Sequence, residues 1–320
     1  MGESLAGNQT LVSAGGKFEL GFFSPAGGGS NYYVGIWYKR IPGRTVIWVL
    51  NRDSPVADPA FAELTVAQDG NLLLLRTGNR PRKAIWSSNS PAGSRDDDDT
   101  AVAVLLDTGN LVLRGRRGGN SSAVIWQSFD HPTDTLVPGG WVGLNKRTGA
   151  YQALRSWRSA ADPSTGLYTD RVVDPHGSGQ YAFLWNGTAV YHYVGAWNGQ
   201  YFAPIPEMGM SAKYTFVFVN SSEEVSYSFR AVAAALGDPH VAVRRVLRLR
   251  PVRALRRGQL AVLPVPAGVR ARVAGGMRRP TLERRLREED KLAVPWQRVI
   301  DRWVPPGAKR PAAERPFPGG

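Results

Sequence analysis

Few residues in this chain could perform bond-making chemistry, and they are scattered. There is no cysteine, which excludes a thiolate nucleophile, a disulfide and a cysteine-ligated zinc. The four histidines, His131, His176, His192 and His240, show no metal-ligand spacing. His131 lies in the run Asp130-His131-Pro132-Thr133-Asp134, where an imidazole between carboxylates suggests a base or a metal ligand. No serine or second histidine is placed with it, so no catalytic constellation is assigned. The acidic run Asp96 to Asp99 lacks the regular ligand spacing of a calcium loop and reads as a solvated loop. Gly27-Gly28-Gly29 has no following Lys-Ser/Thr and opens no helix, so it is not a phosphate cradle. The expectation is a protein that is not an enzyme and carries neither cofactor nor metal. Its remaining polar chemistry is hydrogen bonding from amides and carboxylates, set on turns such as Asp69-Gly70-Asn71 and Thr108-Gly109-Asn110.

Those turns belong to a repeat. Val46 to Pro55, Ala84 to Pro91 and Val124 to Pro132 each carry an Ile-Trp pair that runs into a proline, and Trp48, Trp86 and Trp126 are 38 and 40 residues apart. Between them stand Asp69 to Leu75 and Asp107 to Leu113, each a Gly-Asn turn feeding an apolar run. Alternation puts Val46, Trp48 and Leu50 on one strand face, with Ile47 and Val49 on the other. No helical stripe occurs before Arg230. A fixed period of this length implies short units that cannot bury their apolar faces alone. The expected architecture is all-β: a closed or prism-like domain of three sheets about a shared axis, with Trp48, Trp86 and Trp126 as its central core.

Composition divides the chain. Residues 1–230 hold 20 Lys/Arg against 19 Asp/Glu, whereas residues 231–320 hold 20 against 7, so the stated net charge of +14 comes almost wholly from the second stretch. That stretch has no Ser, Asn or Tyr and is rich in Arg, Ala, Pro and Gly. It is expected to be a disordered or out-of-frame tail. Its arginine pairs could meet phosphate, but it has few stacking aromatics and no reading motif, so nucleic acid is not expected as a partner. Four sequons, at Asn8, Asn120, Asn186 and Asn220, are candidate glycosylation sites and point to a secretory history. The N-terminus shows no signal peptide, and no apolar run is long enough to span a membrane.

The segments Thr10 to Pro25, Val34 to Pro55, Leu105 to Arg114 and Val124 to Gly139 resemble the plant G-type lectin S-receptor-like serine/threonine kinases. Ser156 to Tyr168, Asp174 to Thr188 and Gly195 to Met208 are similar to the S-locus glycoprotein domain that follows the lectin domain in those proteins. The resemblance covers about residues 8–230 and ends before any kinase motif. It implies a bulb-type lectin β-prism over 1–150, a partial S-locus glycoprotein-like domain over 151–230 and the basic tail over 231–320. It also implies an extracellular or plasma-membrane-associated place, and a glycan, a peptide or a protein as ligand, with self-association as a further expectation through strand edges and the aromatics Tyr32, Tyr33 and Trp141. Each mannose site of the family follows the pattern Q-x-D-x-N-x-V-x-Y. Matched to it, the first repeat presents Ala67, Asp69, Asn71, Leu73 and Leu75, and the second presents Leu106, Thr108, Asn110, Val112 and Arg114. A third register would be Ser30, Tyr32, Val34, Ile36 and Tyr38. The sites are degenerate, and Asp69, Asn71 and Asn110 are the sugar-binding residues the resemblance leaves.

Overall fold

The computed structural model describes residues 4–78, 81–90, 100–117, 120–205, 208–209, 214–232 and 247–248. All of them fall in one compact unit, Met1–Arg278. The acidic run Asp96 to Asp99 and almost all of the basic tail lie outside the described residues.

The protein is all-β. Its first eight strands are β1 (Leu5–Ala6), β2 (Thr10–Val12), β3 (Phe18–Phe23), β4 (Tyr33–Tyr38), β5 (Val46–Val49), β6 (Ala62–Val66), β7 (Leu72–Arg76) and β8 (Lys83–Ser87). They make two four-stranded sheets, in the orders β2-β3-β4-β5 and β1-β6-β7-β8. β9 (Thr100–Leu105), β10 (Leu111–Arg117) and β11 (Asn120–Gln127) make a third sheet, with β10 in the middle. Every pairing in the three sheets is antiparallel.

The three sheets share one core. Leu20, Ile36 and Trp48 come to it from the first sheet, Leu64 and Leu74 from the second, and Leu105, Leu113 and Trp126 from the third. The ring of Trp126 meets Trp48 at 6.0 Å and Trp86 at 5.7 Å between centroids, both edge to face. Trp48 and Trp126 are buried, and Trp86 is half-buried against the same cluster. At about 25 cal/mol per Å² and ~150–250 Å² per ring, each fully buried indole contributes about 4–6 kcal/mol as an upper estimate.

A bulge recurs beside each tryptophan. Ile36 faces Trp48 while Trp37 faces Val46, Leu74 faces Trp86 while Leu75 faces Ala84, and Leu113 faces Trp126 while Arg114 faces Val124. The extra residue is the isoleucine of each Ile-Trp pair: Ile47, Ile85 and Ile125. A bulge breaks the two-residue alternation and bends the strand. Plain alternation therefore fails in β5: Ile47, Trp48 and Leu50 join the shared core, whereas Val46 and Val49 pack on the other side with Phe23, Tyr33 and Trp37.

The turns that open β7 and β10 need glycine. Gly70 has φ 75° and Gly109 φ 84°, the left-handed region open to glycine at little cost. A Cβ at Gly109 would also come within 2.9 Å of Ile47 and Phe18.

Beyond the third sheet, β12 (Thr135–Leu136) pairs with β21 (Leu247–Arg248). The strands between them are β13 (Trp141–Asn145), β14 (Tyr151–Gln152), β15 (Leu154–Ser159), β16 (Asp162–Val172), β17 (Tyr181–Trp185), β18 (Ala189–Gly195), β19 (Tyr214–Asn220) and β20 (Glu224–Ala231). They form two four-stranded sheets, β14-β13-β20-β19 and β15-β16-β17-β18. Tyr181 ties one to the other: its hydroxyl donates to the carbonyl of Val142 at 2.7 Å and its ring meets Phe218 and Tyr227 at 6.3 Å.

Candidate functional site

The repeated asparagines sit where the chain enters β7 and β10, and both side chains are engaged. The Asn71 carbonyl oxygen accepts from the Ser90 N–H at 2.8 Å and from the Ser88 hydroxyl at 3.0 Å, and its amide nitrogen donates to Asp69 at 3.0 Å. Asp69 also accepts from the Asn71 N–H at 2.9 Å. The second corner repeats the design. Asn110 is buried, accepts from the Ser128 hydroxyl at 3.1 Å and the Phe129 N–H at 3.2 Å, and donates to Gln127 at 2.8 Å. Ser88 and Ser128 in turn accept from the N–H groups of Leu72 and Leu111. In the first sheet the same task falls to Asn51, buried beyond Trp48, whose carbonyl accepts from Val34 N–H at 2.8 Å and whose amide donates to the Ser54 carbonyl at 2.8 Å. Each asparagine thus satisfies backbone groups that would otherwise be sealed unpaired, at about 1–3 kcal/mol each.

The surroundings of the sugar-pattern positions differ from repeat to repeat. Asp69 is exposed, and Leu73 and Leu75 lie half-buried on the outward face of β7, opposite Thr65 and Glu63. In the second repeat Val112 is buried and so is not presented to a ligand. In the third register Val34, Ile36 and Tyr38 point into the shared core. Burial there raises the Tyr38 hydroxyl far above the ordinary tyrosine range. Asp69 and Asn71 are in direct contact, while Asn110 belongs to a separate corner on a different sheet.

The outward face of the first sheet is also covered. Tyr33, which the sequence suggested as surface, is buried with Phe23, Trp37, Val46 and Val49, and Trp157 of β15 packs against them. Burial, with Asp162 and Asp53 nearby, raises the Tyr33 hydroxyl. The turn Asn51-Arg52-Asp53 clamps the seam. Arg52 donates to the carbonyl oxygens of Pro163 at 2.9 Å, Arg155 at 3.2 Å, Ser156 at 2.7 Å and Ser164 at 3.5 Å. Asp53 accepts from the Thr165 N–H at 2.6 Å and the Thr165 hydroxyl at 2.7 Å. Burial pulls the Arg52 proton affinity down, and Asp134 and Asp53 work against that. Sequence reasoning missed this pair. The available signal was that only the first repeat carries Arg-Asp after its tryptophan strand.

The His131 segment is structural in its contacts. The ring stacks on Trp126 at 5.3 Å, the His131 carbonyl accepts from the Trp48 indole at 2.7 Å, and Asp134 is buried near Arg52. Asp130 accepts from Gln127 and from the Trp141 indole. Among the described residues no three His, Asp or Glu side chains gather as a metal site. Of the sequons, Asn8, Asn186 and Asn220 are exposed, Asn186 at the tip of the β17–β18 hairpin with φ 51°. Asn120 begins β11. Asn220 donates to the Gly177 carbonyl and accepts from Lys146. No helix among the described residues is long and apolar enough to cross a membrane.

Residues 45–158 match the family described as D-mannose binding lectin. That stretch, which runs from β5 into β15, therefore carries the match to a bulb-type lectin domain. Over a longer stretch the chain is similar to plant receptor-like kinases and S-locus glycoproteins. It is 42% identical over 227 residues to the receptor-like serine/threonine-protein kinase SD1-8 of Arabidopsis thaliana, covering 71% of this chain and 26% of that protein. It is 41% identical over 226 residues to the S-locus-specific glycoprotein S6 of Brassica oleracea, covering 71% of this chain and 50% of that protein. It is 38% identical over 230 residues to the G-type lectin S-receptor-like kinase SRK of Arabidopsis thaliana, covering 71% and 25%. The chain thus spans about a quarter of the kinases and about half of the glycoprotein.

Proposed function

We propose that this chain is a non-catalytic recognition module acting outside the cell or at the plasma membrane, and that its ligand is a peptide or protein rather than mannose bound in the usual mode. The observation that carries the reading is the commitment of Asn71 and Asn110 to their own corners. An amide that already accepts two hydrogen bonds from its own chain cannot turn to a sugar hydroxyl without stranding a buried N–H, which costs about 1–3 kcal/mol. The kinship with receptor kinases and S-locus glycoproteins supports the extracellular setting. We read residues 1–150 as a β-prism domain, residues 151–230 as part of an S-locus glycoprotein-like domain, and self-association as a second use of the exposed strand edges.

A second reading, a weak glycan contact at the first repeat, is favoured by the exposure of Asp69 beside the outward leucines Leu73 and Leu75. A mannose oligosaccharide array probed with the full chain separates the two. The expected result is a blank array. Mannose-dependent binding abolished by Asn71→Ala in a protein that still folds would establish the glycan reading instead.

A further inference from the structure

The sheet β15-β16-β17-β18 has a second face, which the lectin match does not explain. Its inward face is marked by Tyr181 and Phe183. Its outward face follows from the register. Arg155 stands opposite Thr169, Thr169 opposite Leu184, and Leu184 opposite Val190, so these four form one row across the sheet. Arg171, Ala182 and Tyr193 form the next row, and Leu167 lies beyond Thr169, in the stretch of β16 where the register with β15 shifts. Leu167, Val190 and Tyr193 are 53%, 43% and 49% exposed, while Ala182 and Leu184 beneath them are sealed. Val190 and Tyr193 neighbour each other on the edge strand β18, and large apolar side chains exposed together mark an interaction surface more than scattered ones do.

The other side of the face is cationic and unneutralised. Among the described residues neither Arg155 nor Arg171 makes an ion pair, and no Asp or Glu occupies either row. Asp170, between Thr169 and Arg171, alternates to the inward side. The Nε of Arg171 is sealed without a hydrogen-bond partner, and its guanidinium lies 5.9 Å from the centre of the Tyr151 ring, itself 40% exposed. Arginine and tyrosine beside an apolar patch are the residue types that dominate binding energy at protein interfaces, and a guanidinium without a counter-charge is suited to bidentate capture of a carboxylate.

We propose that this face docks an acidic peptide segment of a protein partner, with an apolar anchor on Leu167, Val190 and Tyr193 and carboxylates on Arg155 and Arg171. The proposal rests on the protein-ligand reading above and assigns that ligand a place. Charge complementarity selects the occupant. Residues 1–230 are nearly neutral overall, so attraction for an acidic segment comes from this local pair rather than from a general field.

The test is fluorescence anisotropy with the full chain and two labelled short peptides, one alternating Glu and Leu, the other Lys and Leu, with polygalacturonate as a third probe. The Glu/Leu peptide is expected to bind, more weakly as salt is raised, and the Lys/Leu peptide is not. Arg155→Glu and Val190→Asp both change exposed side chains, so the fold is expected to survive, and each should weaken binding about tenfold or more, the scale of losing one hot-spot contact. Equal binding of both peptides, no binding, unchanged affinity in both variants, or binding of polygalacturonate in place of the peptide would overturn the proposal. If the mannose array stays blank while peptide binding ignores Arg155, only this surface assignment fails. An array signal lost in Asn71→Ala would remove the protein-ligand reading itself.

Discussion

The guanidinium of Arg52 donates to the carbonyl oxygen of Ser156 at 2.7 Å, joining residues 104 apart in the chain. The same group serves the carbonyls of Arg155, Pro163 and Ser164. One side chain therefore satisfies much of the otherwise unpaired backbone at the mouth of the β15–β16 hairpin.

Removing that group should loosen the seam. Arg52→Ala is expected to lower stability by about 2–3 kcal/mol, because hydrogen bonds from a charged donor are lost and several carbonyls are left poorly satisfied. Arg52→Lys should recover only part of it, since an ammonium cannot reproduce the planar fork. Urea unfolding followed by tryptophan fluorescence measures both, and full recovery by lysine would contradict the clamp.

Trp126 touches both other indoles and His131, whereas Trp86 meets Trp126 alone among the rings of that cluster and is half-buried. Trp126→Ala should cost about 3–5 kcal/mol, at the top of the range for large-to-small core changes, and Trp86→Ala clearly less. Thermal melts of the two variants would rank them, and equal losses would mean that the indoles pack independently.

Asn110→Ala should destabilise by about 1–3 kcal/mol, because the Ser128 hydroxyl and the Phe129 N–H lose their acceptor inside the protein. Asn71→Ala should cost less, since Asn71 is only half-buried. A calorimetric scan of Asn110→Ala indistinguishable from the parent would show that the amide is not a structural pin.

Asp170 gives the fold a pH dependence. Its Oδ1 is sealed and has no hydrogen-bond partner, although the residue keeps some exposure, and burial pushes its pKa up to about 7. The folded state then holds the proton more tightly than the unfolded chain, whose carboxyl titrates near 4. The associated stability is fully present below about pH 4 and is lost as pH rises through about 7. The urea midpoint should therefore be lower at about pH 8 than at about pH 5, and Asp170→Asn should flatten that difference. The depressed carboxyls of Asp107, Asp162 and Asp174 act in the opposite sense, but only at the acid end. An Asn variant with the same pH profile as the parent would remove Asp170 as the cause.

The all-β class and the meeting of Trp48, Trp86 and Trp126 were legible in the Ile-Trp spacing and the Gly-Asn turns, because local turn chemistry and a fixed period act over short stretches of chain. The face assignment of Val46 was not. It depends on a bulge at Ile47, and bulges leave no mark in an alternating pattern. Tyr33 looked like surface because what covers it, Trp157, arrives from more than a hundred residues away. Asn71 and Asn110 were ambiguous for a different reason. The amide that could hold a sugar hydroxyl is the same group that can hold a serine and a backbone N–H, and the serines that engage it, Ser88 and Ser128, stand 17 and 18 residues further along the chain.

The covering of β2-β3-β4-β5 by β15 has a practical consequence for anyone trimming the protein. A fragment ending at residue 150 would bare Tyr33, Trp37 and Val49 to water and leave the Asn-Arg-Asp turn grasping nothing. The smallest piece able to stand alone should run to the end of β16 at Val172, past residue 158, where the match to the lectin family ends. The borrowed strands make the two halves a poor place to cut, however cleanly the sequence divides there.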